Sequence, residues 1–257
     1  MTLAMAYAVL ITAVLAAAAA AMEASLRPRR VAVRWIWVIA VAFALPVTAF
    51  VMLAPRVTGA TLDQPRVPAA FPIDGPPTFT SSLPAVGLVR RLDGPLSVAW
   101  AAASALLLLS IGFGRWRLSR ERRSARRATV LGESVLLTQD LGPAVAGIGD
   151  PVVFIPRWVL ALDESSQRLL LAHELEHVRR RDTVLLAAGA VMGALLPWNP
   201  AVWWMLRRLR LAVELDCDRR VLSTHPGVRR YADLLLMAAG KPGFTARLLA
   251  AHFGEHA

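Results

Sequence analysis

Three apolar runs, each about as long as a lipid bilayer requires, dominate the first half of the chain: residues 3–22, 31–54 and 95–114. A helix of about 20 residues crosses a hydrocarbon core of about 30 Å, so residues 1–114 are predicted to form a three-helix transmembrane region. The arginines orient it. No Lys or Arg precedes the first run, whereas Arg27, Arg29, Arg30 and Arg34 follow it. The third run is followed by Arg115, Arg117, Arg120, Arg122, Arg123, Arg126 and Arg127. Positive residues accumulate on the cytoplasmic side, so the N-terminus and residues 55–94 face outward and the chain after residue 114 faces the cytosol. A cleaved signal peptide is the lesser alternative, because its positive charge would precede the apolar core. Trp35 and Trp37 are expected at the cytoplasmic interface, and Pro46 within the second span marks a kink that membrane helices tolerate.

Composition agrees with this frame. Of 257 residues, 56% are hydrophobic, which exceeds the norm for a soluble domain. The net charge of +11 invites a nucleic-acid reading. However, the positives stand beside apolar segments and not among stacking aromatics, so no specific nucleic acid is expected, while anionic lipid is a natural partner of the 115–127 basic segment. The single cysteine, Cys217, excludes an internal disulfide framework and suits a reducing compartment.

Residues 55–94 are rich in proline and read as an extracytoplasmic loop with little regular structure. Residues 128–162 read as a small β-rich region, with Ser134–Leu137 and Val152–Ile155 as strands separated by Gly142, Pro143, Gly147, Gly149, Asp150 and Pro151. An exposed strand beside a metal can hold a peptide as an added strand, and Val152, Val153, Phe154 and Ile155 are the candidates.

The chemistry lies farther on, in His173-Glu174-Leu175-Glu176-His177. Asp163 supplies an N-cap, Glu164 an acidic first turn, and Arg179–Arg181 a basic C-terminus, so the segment is predicted helical. Four residues turn a helix by roughly 400°, which stacks His173 and His177 on one face, where both imidazoles can hold one zinc ion. Glu174 is then the expected general base toward water. A catalytic zinc takes three protein ligands; Glu214 is the expected third. Asp218, one turn farther, is expected to accept the free N–H of His173.

Between these two elements lies a constraint. Residues 183–196 are apolar, Pro197-Trp198-Asn199-Pro200 follows, and residues 201–206 are apolar again. A full crossing over 183–204 would leave Glu214 on the side opposite His173 and His177. One site needs both on one side, so residues 183–206 are expected to form a hydrophobic hairpin that dips into the membrane and returns. Fourteen helical residues reach about 21 Å, short of a crossing. A fourth span is the alternative, and it forfeits Glu214. The metallopeptidase domain is thus expected over 128–257, with His225, His252 and His256 as surface histidines.

His-Glu-x-x-His followed by Glu-x-x-x-Asp resembles the signature of the gluzincin zinc peptidases. Together with Ala172–Asp182, Pro197–Trp203 and Glu214–Asp218, and with the order of three spans, basic segment and metal domain, the chain resembles the BlaR/MecR antibiotic sensor-transducer peptidases over most of residues 1–240. That resemblance implies a mainly α membrane protein with a cytoplasmic α+β zinc metallopeptidase domain. It also implies a cytosolic repressor as a protein substrate. Those sensors continue through a further span into a penicillin-binding domain; with the sequence ending at Ala257, β-lactam sensing is not carried over.

The expected function is therefore a multi-pass zinc endopeptidase of the cell membrane with its active site on the cytoplasmic side. Its substrate is a cytosolic protein or the protease itself, and a homodimer is compatible with the sequence. Rival readings are a membrane quality-control protease of the heat-shock type and a non-catalytic scaffold of the same fold, the latter opposed by the retained Glu174.

Overall fold

A computed structural model describes residues 1–26, 32–53, 84–139, 142–225 and 227–239. It is mostly helical, with one small sheet. Helices α1 (Thr2–Leu26), α2 (Arg34–Leu53) and α3 (Pro84–Ser124) come first. Strands β1 (Arg126–Val130), β2 (Glu133–Thr138), β3 (Ala144–Ala146) and β4 (Val152–Pro156) follow, then a 3-10 turn over Arg157–Ala161. The chain ends in α4 (Glu164–Arg180), α5 (Asp182–Leu195), α6 (Pro200–Thr224) and α7 (Val228–Ala239). The three first helices contain stretches long and apolar enough to cross a membrane, at Thr2–Leu26, Arg34–Leu53 and Asp93–Ser124. Their outer faces expose Leu10, Ile39, Phe43, Leu106, Leu109 and Phe113.

Two differences from expectation concern this half. Helix α3 begins at Pro84 and runs without a break through the basic residues to Ser124, after which Arg126 and Arg127 enter β1. The end of the expected loop and the basic segment are therefore helix and strand; residues 54–83 lie outside the described residues. Trp37, expected at the depth of the membrane interface, is fully buried against protein. Its indole N–H donates to Glu23 at 2.8 Å, and its ring meets Trp204 edge-on at 5.3 Å.

The sheet has the order β1-β2-β4-β3, with β2 and β4 parallel and the other pairs antiparallel. Leu131 and Gly132, at φ 53° and 89°, close the β1–β2 hairpin, a two-residue turn that requires positive φ at both positions. Successive side chains alternate between two apolar layers. Val135, Val153 and Ile155 face the core built with α4, α6 and α7, whereas Leu136 and Phe154 face Leu118 and Ala125 at the end of α3.

This arrangement corrects the expectation for Val152, Val153, Phe154 and Ile155. Phe154 pairs with Leu136 on one side and Ala144 on the other, so β4 is a central strand with no edge to offer a peptide. Its unbroken apolar run is itself the mark of a strand buried on both faces. The free edges are β1 and β3, and β3 is the one packed against α4.

Helices α5 and α6 form a hairpin. The chain reverses at Pro197–Asn199, where Asn199 caps α6 by accepting from the amides of Ala201 and Val202 at 3.1 and 3.3 Å. Its amide donates to Thr12 on α1 at 3.0 Å, so this buried turn is tied to the middle of the first helix. Gly189 and Gly193 let α6 approach: a Cβ on Gly189 would meet Leu206 Cδ2 at 2.9 Å, and one on Gly193 would meet Leu206 Cδ1 at 3.1 Å. Beyond α5, α6 packs on α1 and α2 with its first half, through Val202, Met205, Leu209 and Val213.

Candidate metal centre

Helix α4 carries three of the site residues because its start is well specified. Asp163 accepts from the Ser166 amide at 3.2 Å and from its hydroxyl at 2.6 Å, and Leu169–Leu171 anchor the helix in the core. His173, Glu174 and His177 are consequently buried, at 6%, 1% and 4% exposure. The two imidazoles meet through Nε2 atoms 3.1 Å apart.

Glu214 arrives from α6. Its Oε2 lies 3.6 Å from Nε2 of His173 and 3.6 Å from Nε2 of His177. Two donors about 2.0–2.1 Å from one tetrahedral zinc stand about 3.4 Å apart, so these three atoms have the mutual spacing of ligands to a single ion. The side chain of Glu214 is 46% exposed, which leaves the group open to solvent on that side.

The opposite ring nitrogens are held as well. His177 Nδ1 is 2.8 Å from Oδ2 of Asp182. His173 Nδ1 is 2.7 Å from the Tyr231 hydroxyl and 3.3 Å from Asp218 Oδ1, and the same hydroxyl donates to Asp218 at 2.6 Å. A proton on Nδ1 of each ring turns the Nε2 lone pairs toward Glu214, which is the state metal binding requires.

The electrostatics agree. Burial works against charging either imidazole, but Asp218, Cys217 and Glu214 around His173, and Asp182, Cys217 and Glu214 around His177, outweigh it and raise the proton affinity of both. Two protonated rings would aim N–H groups at each other across 3.1 Å. One shared cation resolves that conflict, so the donor set fits a metal ion.

Cys217 is a second neighbour. Its thiol is buried, and its sulfur and the two histidines offer ligand atoms within 4.8 Å of one another. Its hydrogen-bonding contacts are His173 Nδ1 at 3.6 Å and the His173 carbonyl at 3.5 Å. The thiol also faces His177, while the Glu214 carboxylate oxygen stands 3.6 Å from both Nε2 atoms, the spacing of a shared ligand.

Sequence reasoning brought His173, Glu174, His177, Glu214 and Asp218 to one place, and the fold does assemble them. It missed Asp182 and Tyr231. Asp182 follows His177 by five residues, out of phase on a continuous helix. It reaches back only because Arg181 adopts the left-handed conformation, at φ 55°, and starts a new helix. No Gly or Pro announces that break. Tyr231 comes from α7 and carries no local signal at all. Val152–Ile155, in contrast, lie in the sheet interior, with Phe154 paired on both sides.

The sequence model of the family described as BlaR1 peptidase M56 matches residues 94–256. The regulatory protein BlaR1 of Bacillus licheniformis is 20% identical over 185 residues, which cover 63% of this chain and 30% of that protein. The chain therefore spans less than a third of its relative's length.

Proposed function

The chain belongs to the BlaR1 peptidase M56 family, a family of metallopeptidases, and from that premise we propose that it is an integral membrane zinc endopeptidase. It acts at the cytoplasmic face and cleaves a cytosolic protein, of which a transcriptional repressor is the example the resemblance to antibiotic sensor-transducers supplies. The observation that carries this proposal is the triangle of His173 Nε2, His177 Nε2 and Glu214 Oε2, at 3.1, 3.6 and 3.6 Å, beside the buried Glu174.

His173, His177 and Glu214 would hold the ion. When bound there, zinc supplies Lewis acidity toward water and toward a carbonyl oxygen. Glu174 is the proton carrier: its carboxylate accepts a proton from the attacking water and passes it to the leaving amine. Asp182, Asp218 and Tyr231 keep the two imidazoles in the tautomer that binds metal. An extended substrate is best received by the free edge of β3, Ala144–Ala146, since that edge is the one adjoining α4.

Membrane insertion is supported by the apolar outward faces of α1–α3 and by the arginines that follow the first and third of them. Helix α5 has 14 residues and extends about 21 Å, enough to enter the bilayer beside α3 but not to cross it. The metal centre then lies close to the membrane surface, where lipid and a membrane-proximal substrate meet.

The test is zinc content and casein or self-cleavage of the detergent-purified chain, beside Glu174→Gln and Glu214→Ala. Glu174→Gln should keep its zinc and lose about 10²–10⁴-fold in cleavage; Glu214→Ala should lose zinc. Full zinc occupancy in Glu214→Ala would remove the third ligand and bring Cys217 forward in its place.

A further inference from the structure

Arg34 opens α2, and it is buried, with its side chain 7% exposed. Its guanidinium NH1 donates to Asp182 Oδ1 at 3.0 Å. The other oxygen of that carboxylate, Oδ2, is the one 2.8 Å from His177 Nδ1. Asp182 itself is 1% exposed, so the three groups form a line sealed from water. The backbone N–H of Arg34 donates to Asp216 Oδ2 at 3.3 Å, and Asp216 lies two residues beyond Glu214 on α6. The first turn of α2 thus reaches the carboxylate that holds His177, at the start of α5, and the helix that carries Glu214.

A carboxylate shared between a buried imidazole and a buried guanidinium has its rotamer determined by the stronger, charge-assisted bond. Without Arg34, Asp182 would be a buried carboxylate without its charge-assisted partner, free to turn away from His177. The Arg34 side chain reaches His177 through Asp182, which stands between them.

We propose that Arg34 is a positioning residue for the metal centre: by fixing Asp182 it orients His177, and it thereby couples the position of the membrane helix α2 to metal affinity. The proposal rests on the metal-site assignment above. Its consequence is directional. A displacement of α2, whose other end at Leu53 leads into the 54–83 segment, is carried to His177 through Asp182 and to the Glu214 turn through Asp216.

The bundle contains an internal control. Glu23 on α1 is likewise buried; it pairs with Arg208 on α6 at 2.5 Å and accepts from the Trp37 indole on α2. It fastens α1 to the same two helices, α2 and α6, through Trp37 and Arg208.

The experiment measures zinc affinity by competition with a chromophoric chelator, on the full chain in detergent micelles, together with Tm. Arg34→Met should weaken zinc binding about 10–100-fold, and Arg34→Lys should restore most of it. Asp182→Asn should weaken binding over the same range, and adding Arg34→Met to it should produce little further loss. Glu23→Gln should lower Tm while zinc affinity stays that of the wild type. Wild-type affinity in Arg34→Met, equal losses in Arg34→Met and Glu23→Gln, or additive losses in the Asp182→Asn background would each overturn the proposal. Where Arg34→Met does not accumulate, Arg34→Gln is compared with Glu23→Gln by the same criteria. Failure of the wild type to bind zinc is a separate result, which overturns the site assignment itself.

Discussion

Helix α6 runs through two cores of different make. In the first, Val202, Met205, Leu209 and Val213 pack against Ala16 and Ala19 of α1 and Ala40 and Ala44 of α2, so small residues bring helices close together. In the second, Cys217 and Val221 pack with Val135, Val153 and Ile155 of the sheet, Leu169–Leu171 of α4 and Tyr231 of α7. The changeover falls at Glu214. One core resembles helix packing within lipid, where apolar side chains gain little by leaving an already apolar solvent and close van der Waals fit carries the association. The other resembles a soluble interior, where removal of apolar area from water is the main stabilising term. The metal centre sits where they meet, so its geometry depends on both.

Substitutions can break that comparison. The largest stability effect is expected in the second core: Ile155→Ala, at 1% exposure, should cost about 2–5 kcal/mol through lost transfer energy plus a cavity. Leu209→Ala, buried at 2%, should cost less, because only packing is lost when lipid is the alternative environment. Thermal unfolding of the two variants in the same detergent compares them, and equal losses would make the first core an ordinary soluble one.

A wedge in the hairpin should come next. Gly189→Ile forces a branched side chain against Leu206, whose Cδ2 is 2.9 Å from the Cβ position, at about 1–3 kcal/mol. If the first core positions Glu214, this variant should also lose zinc affinity, although it lies far along the chain from every ligand. Retained affinity would assign that role to the second core alone.

Tyr231→Phe sharpens the second core's share. It deletes the hydroxyl joining His173 to Asp218 while keeping the ring in place, and should weaken zinc binding about 10-fold. The smallest effect concerns pH. Because surrounding carboxylates raise the proton affinity of His173 and His177 in the metal-free chain, zinc must displace protons at neutral pH. Affinity should therefore fall as pH falls. Calorimetric titrations in two buffers of different ionisation enthalpy should show net proton release on binding.

Much of the site follows from local rules. Helical spacing alone aligns His173 with His177, and Asp163 starts that helix at a place readable from its side chain. The pairing of Glu214 with those histidines needed more: a requirement that both stand on one side of a membrane. The sheet was legible as strands but not as an order, because an apolar run such as Val152–Ile155 carries no record of its neighbours. Its central position, paired on both sides, moves the free edge to β3.

What the sequence by itself determined are features set within a few turns or by gross composition: three apolar helices, a His-Glu-x-x-His helix, a capped start and a reversal near Pro197–Pro200. Only the tertiary structure decided that Asp182 turns back to His177, that Tyr231 reaches His173, and that Arg34 holds Asp182 from the first turn of α2. Each of those contacts depends on a chain reversal or a partner supplied by packing, and hydrogen-bonding side chains act over a few ångströms of space irrespective of their separation along the chain.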